Sequence, residues 1–372
     1  VSLFTDVEPD YPPRRRGGGW FGWSLLGFAI TAIVVVALLP SPYVIEKPGP
    51  VFDTLGTVAI EGEDVPLIDI PMEETFPTTG SLNLLTVSIV GNRDNPLRWF
   101  ETATAWLDPS KAVVPIDQVY PQGVTVEQSS EASRIQMEVS QQESIAAALD
   151  RLGYDFTSTL TIAGLTEGSA SDGIVEEGDV IQSLNGESYL YVSQMREAIA
   201  ANGVDKPMTL VVDRDGVEQT LEVTPTLSPE NGTAERQPVL GVLISNAYDF
   251  PFDVTIQLEN VGGPSAGQMF ALGIIDKLTE GDLNGGEDVA GTGTITGEGD
   301  IGPIGGIRQK MYGALDAGAT YFLAPEANCD EVTGHIPDGL TVFAVEDLDD
   351  SMTALAGIAS GEIDDIATCP AG

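Results

Sequence analysis

The chain has 372 residues, 16 of them Lys or Arg against 57 Asp or Glu, for a formal net charge of −41. So acidic a balance excludes binding to a nucleic-acid backbone, and one His with two Cys excludes a zinc finger, a His-rich metal site or a disulfide-dense scaffold. No GxxxxGK[ST] phosphate loop occurs, and no GxGxxG opens a helix after a strand, so no ATP, nicotinamide or other cofactor is expected.

At the N-terminus, no residue between Gly17 and Ile45 is charged. Trp20–Leu39 supplies an apolar run long enough for about 30 Å of helix, the thickness of a bilayer core. Arg14, Arg15 and Arg16 precede it and Trp20 and Trp23 stand at the interface level, so the pattern predicts a transmembrane helix over 20–39. Residues 1–19 are then a cytoplasmic N-terminus, the lipid bilayer is a partner, and the rest is extracytoplasmic in the cell membrane. A cleaved signal peptide is the rival, but Leu38-Leu39-Pro40-Ser41-Pro42 is a poor cleavage site. Pro40, Pro42, Pro48 and Pro50 read as a stiff juxtamembrane linker, taken as 40–75.

Ser81–Val90 reads as a strand. Ile135–Leu152 reads as a helix with Ile135, Val139, Ile145, Leu149 and Leu152 near one face. A compact strand-rich unit follows over 153–226. The C-terminal segment alternates: a strand at Val254–Leu258, helices at 266–278 and 307–317, a strand at Tyr321–Ala324 and a tail at 351–372. That rhythm predicts an α+β fold with mixed sheets. Cys329 and Cys369 either pair, tying down the tail, or stay as buried thiols.

The unit 153–226 carries Gly168-Ser169-Ala170, Gly178-Asp179-Val180-Ile181 and Leu184-Asn185-Gly186, then a helix and two paired strands. It resembles a bacterial PDZ domain. The resemblance implies peptide binding by strand addition to a sheet edge, with backbone N–H groups capturing a carboxylate. The start of the unit, Leu152-Gly153-Tyr154, is the expected capture loop. A packing or gating role without peptide binding is the alternative.

Val261-Gly262-Gly263-Pro264-Ser265-Ala266-Gly267 bends the chain and places a serine where a helix begins. Unpaired N–H groups and the helix dipole there suit a nucleophile and its oxyanion. The same pattern also reads as a plain turn with an N-cap. A serine nucleophile needs a base of near-neutral pKa. The only His, His335, lies in a polar turn, which leaves five lysines: Lys47, Lys111, Lys206, Lys277 and Lys310. Lys277 is about 18 Å from Ser265 along its helix. Lys310 sits on an apolar helix face with Ile307, Met311 and Leu315, after the small-residue run Gly302–Gly306, where burial lowers a lysine's pKa.

Gly263–Gly267, Thr292–Gly297, Pro303–Lys310 and Ala317–Pro325 resemble, in order, the blocks of the proteolytic domain of the Lon (endopeptidase La) family. The resemblance implies Ser265 as nucleophile and Lys310 as base. Thr292 is a supporting residue for the amine, with Gly262 and Gly263 beside the serine. Many relatives carry an acidic residue where this chain has Gly262. The expected body spans 76–152 and 237–350, with the PDZ unit inserted. The function expected is an ATP-independent, membrane-anchored serine endopeptidase acting on protein or peptide substrates. The alternative is a non-catalytic, membrane-tethered PDZ adaptor on a degenerate protease fold.

Overall fold

The computed structural model describes residues 19–60, 62–121, 123–166, 168–228, 236–258 and 261–370, with side chains in the first helix from Trp23 onward. In chain order the main elements begin with α1 (Gly19–Leu38), β1 (Tyr43–Asp53), β2 (Ser81–Val90), α2 (Trp99–Ala105), β3 (Ala112–Pro115) and α3 (Val126–Arg151). Then come β4 (Thr157–Leu165), β5 (Val180–Leu184), α4 (Val192–Asn202), β6 (Met208–Arg214), β7 (Val217–Val223) and β8 (Val242–Asp249). The C-terminal part holds α5 (Gly267–Leu278), β9 (Asp288–Gly291), α6 (Ile307–Asp316), β10 (Tyr321–Pro325), β11 (Thr341–Val345) and α7 (Leu348–Ser360).

Six strands form one mixed sheet in the order β11-β10-β9-β2-β1-β3, in which β2, β9, β10 and β11 run parallel and β1 is antiparallel to both its neighbours. Side chains alternate across a sheet with period two, and here the alternation divides two cores. Leu82, Leu84, Val289, Leu323 and Phe343 pack with α5, α3 and α7 on one face. Leu85, Ala290, Phe322, Ala324 and Val342 pack with Ile307, Met311 and Ala314 of α6 on the other. Helices α5 and α6 therefore lie on opposite faces.

The second sheet is antiparallel, in the order β7-β6-β5-β4-β8. Met195 and Ile199 of α4 join its core with Leu160, Ile162, Leu210 and Val212. Asp179, from the Gly-Asp-Val-Ile run, is buried and accepts from Arg214 Nε at 2.7 Å and Nη2 at 2.7 Å. That bond holds the Asp179 carboxyl below its ordinary value. Its role in the run is structural.

The transmembrane expectation is overturned. Among the described residues no helix is long and apolar enough to cross a membrane. The end of α1 is instead docked on α2: Trp99 N–H donates to Leu39 O at 3.1 Å, and Ser41 N–H to Leu97 O at 2.7 Å. The span 20–39, the bilayer as partner and the cell-membrane placement with an extracytoplasmic catalytic part are therefore withdrawn. Arg14–Arg16 lie outside the described residues. The supposed linker 40–75 also differs, because it holds β1, paired to β2 and β3 inside the main sheet.

Candidate active site

The turn before α5 is built by close approach. Gly263 has φ +85°, in the left-handed region that a side chain resists, and Pro264 fixes the next φ. Gly263 N–H donates to Ser133 O of α3 at 2.8 Å. Ser140 Oγ donates to Pro264 O at 2.9 Å, and the Ser144 hydroxyl is shared between Ser140 O at 2.5 Å and Gly267 O at 3.0 Å. A Cβ on Gly262 would lie 2.7 Å from Ser133 Cβ, so an acidic side chain has no room where many relatives of the resembled family carry one. On the other side Gly293 N–H donates to Ser265 O at 3.0 Å. Among the described residues, no partner receives the N–H of Ser265 or Ala266.

Lys310 reaches this turn from the opposite face of the sheet. Gly306, at φ +69°, lets α6 start against β2, since a Cβ there would fall 2.8 Å from Val87 Cγ2. Lys310 is 2% exposed, and its Nζ lies 2.7 Å from Ser265 Oγ and 2.8 Å from Thr292 Oγ1. Thr292 follows directly on β9 and is fully buried. The two faces thus meet at the C-terminal end of a central strand, where parallel sheets ordinarily open a crevice. Thr292 Oγ1 donates its only proton to Ser265 O at 2.8 Å, so toward Lys310 it can only accept. Burial pushes the Lys310 amine down to about 7.

Ser265, Lys310 and Thr292, then, are brought together, with Gly262 and Gly263 shaping the turn. Leu152, Gly153 and Tyr154 are placed elsewhere, at the C-terminus of α3. Gly153 N–H donates to Asp150 O at 2.9 Å and Tyr154 N–H to Leu149 O at 3.0 Å, so the supposed capture donors are consumed capping a helix. Tyr154 packs edge-on against Phe252, 5.1 Å between centroids, and Leu152 packs on the main core. Lys277 donates to Leu55 O, Lys111 pairs with Asp108, and His335 is exposed.

Two features escaped the sequence reading. The edge of the second sheet is β8, whose alternating half-buried pattern was legible in Val-Leu-Ile-Ser-Asn-Ala-Tyr-Asp after Leu240-Gly241. The other is Glu143, whose Oε1 accepts from Tyr248 Oη at 3.0 Å and whose Oε2 accepts from Gly297 N–H.

Comparison with known proteins places a likeness on this same stretch. Residues 260–356 match the family model for the Lon protease (S16) C-terminal proteolytic domain. Lon protease 2 of Herpetosiphon aurantiacus is 44% identical over 91 residues, 24% of this chain and 11% of that protein. The Lon protease of Geobacter metallireducens is 35% identical over 108 residues, 28% and 13% of the two chains. The chain thus spans about a tenth of the length of these curated relatives. Among solved structures, the PDZ domain of the SdrC-like protein of Listeria monocytogenes aligns with 23% of this chain and 85% of its own, at 12% identity and a TM-score of 0.21. Ser265, Thr292 and Lys310 all fall inside the matched segment, and residues 260–356 carry the likeness to a Lon-type proteolytic domain.

Proposed function

We propose that this chain hydrolyses peptide bonds of protein substrates through a dyad of Ser265 and Lys310, with Thr292 orienting the amine. The observation that carries the reading is a buried, partly neutral amine 2.7 Å from a serine hydroxyl at a helix start. The neutral Lys310 donates one N–H to Thr292 Oγ1 and points its lone pair at Ser265. Lys310 takes the hydroxyl proton as Oγ attacks the scissile carbonyl, and the N–H groups of Ser265 and Ala266 face the developing oxyanion. The protonated amine then gives its proton to the leaving nitrogen, which leaves an acyl ester on Ser265. Water, deprotonated by the same amine, completes hydrolysis.

The second sheet is read as a PDZ-like peptide-binding module. What favours this is the edge position of β8, which pairs only with β4 among the described residues, with α4 close by: Val242 and Ile244 pack on the core that holds Met195 and Ile199. The acceptor strand is then β8, and the turn before it is Leu240-Gly241, where Gly241 has φ +74°.

Denatured protein and short peptides should be cleaved by the wild type, while Ser265→Ala and Lys310→Ala each lose at least about 10³-fold in kcat. The double variant should be no worse than either single one, because the pair acts as a unit. Near-normal turnover in any of them sinks the dyad and means another catalytic group, whereas no cleavage by the wild type leaves a binding module on a protease fold.

A further inference from the structure

Glu143 is a carboxylate drawn partly out of water, and burial raises its pKa even though Tyr248 and Gly297 pull it back. Placing a charge there costs stability unless donors compensate, so the two bonds it accepts are the reason it is tolerated. Those bonds go to two different parts of the molecule. Tyr248 belongs to β8, the edge strand of the second sheet. Gly297 ends the strip that begins at Thr292.

Glu143 itself stands on α3, next to Ser144. Ser133, Ser140 and Ser144 are spaced by seven and four residues, so they share one helix face. That face holds the Ser265 turn at three points: Gly263 N–H, Pro264 O and Gly267 O. The contacts are tight throughout. A Cβ on Gly267 would lie 2.8 Å from Ile295 Cγ2 and 2.9 Å from Ser140 Oγ. One on Gly297 would lie 2.5 Å from Tyr191 Cε1 and 2.7 Å from Tyr248 Oη. Packed elements of this kind move together rather than bend separately. A turn or slide of α3 therefore shifts Ser265, and a shift of Gly297 pulls on Thr292.

We propose that Glu143 is a positioning residue: by binding Tyr248 and Gly297 on one carboxylate it fixes α3, and through Ser140 and Ser144 the Ser265 turn, in the register that the dyad needs. The second sheet is thereby mechanically tied to the nucleophile. This inference rests on the dyad reading above.

The test is steady-state kinetics on a short peptide too small to engage the second sheet, using the full chain. Glu143→Ala should lower kcat about tenfold or more at unchanged KM, since a misplacement near 1 Å is enough for such losses. Glu143→Gln should recover to within about threefold of wild type, because its amide oxygen still accepts from Gly297 and its NH₂ donates to Tyr248 Oη. Tyr248→Phe keeps the Gly297 bond and should lower kcat by about threefold, again with KM unchanged. A Glu143→Ala kcat within twofold of wild type, a loss confined to KM, or a Glu143→Gln as impaired as Glu143→Ala overturns the proposal. Should Glu143→Ala fail to fold, Tyr248→Phe decides alone, and an unchanged kcat there overturns it. Activity that persists in Ser265→Ala removes the dyad and the positioning role together, whereas a Ser265-dependent activity indifferent to Glu143 removes only the latter.

Discussion

Lys310 is buried with its hydrogen bonds going to two hydroxyls, so its ammonium form gives up water and gains little in return. The folded chain releases that proton near pH 7, while the unfolded chain keeps it up to the ordinary value near 10.5. Between those limits the unfolded state binds one more proton, so this group makes stability rise with pH. Lys310→Met should therefore stabilise the protein by about 1–3 kcal/mol at pH 7 while abolishing turnover. Thermal denaturation at pH 7 and pH 9.5 should show that advantage shrinking as pH rises. Activity has the same sign: kcat/KM should climb through about pH 7 and level off above it. A profile flat down to pH 5 would mean a different base. Thr292→Val should cost about 10- to 100-fold in kcat, and Thr292→Ser much less, because only the acceptor oxygen orients the amine. Ser265 and Lys310 could be paired as candidates because the chain holds so few His and Lys residues. Glu143 was not legible: it is one of 57 acidic residues, and its partners lie 105 and 154 residues away.

The elements were most legible where apolar periodicity is strong. Ser81–Val90 is read and found with the same bounds, and the helices that follow Ser265 and carry Lys310 agree within a residue or so at each end. β1 was hidden by its prolines, which read as a spacer. The strand accommodates them with a register shift between Pro48 and Val51, and a Cβ on Gly49 would sit 2.3 Å from Thr86 Oγ1. Leu152–Tyr154 was misleading because a glycine that ends a helix and a glycine that opens a binding loop look alike in one dimension. Cys329 and Cys369 do form a disulfide, 40 residues apart, beside the core under α6. Cys369 N–H also donates to Val342 O at 3.1 Å, holding the tail on β11. Replacing both cysteines by serine should cost about 2–4 kcal/mol through lost loop closure. Limited proteolysis should then cut first in the segment after α7, and protection equal to wild type would show that packing alone retains it.

For the molecule as a whole, a net charge of −41 means that compaction works against self-repulsion. Sodium chloride raised from about 0.01 to 0.5 M shortens the Debye length from about 30 Å to a few ångströms, so the melting temperature should rise by several degrees. An insensitive melting temperature would show that the charges are already compensated locally. The order in which strands are laid down adds a different constraint. β2 pairs with β9, joining Ser81 to Asp288, and β9 pairs with β10, so the main sheet closes only after Tyr321–Pro325 has been made. The second sheet, by contrast, is made from strands that all lie between Thr157 and Asp249 and can assemble on its own as the chain emerges from the ribosome. Ser265 leaves the ribosome 45 residues before Lys310, and the faces that bring them together form later still. A nascent chain that has exposed Ser265 but not Lys310 therefore carries the proposed nucleophile without its proposed base, and the proposed activity waits on the folding of α6.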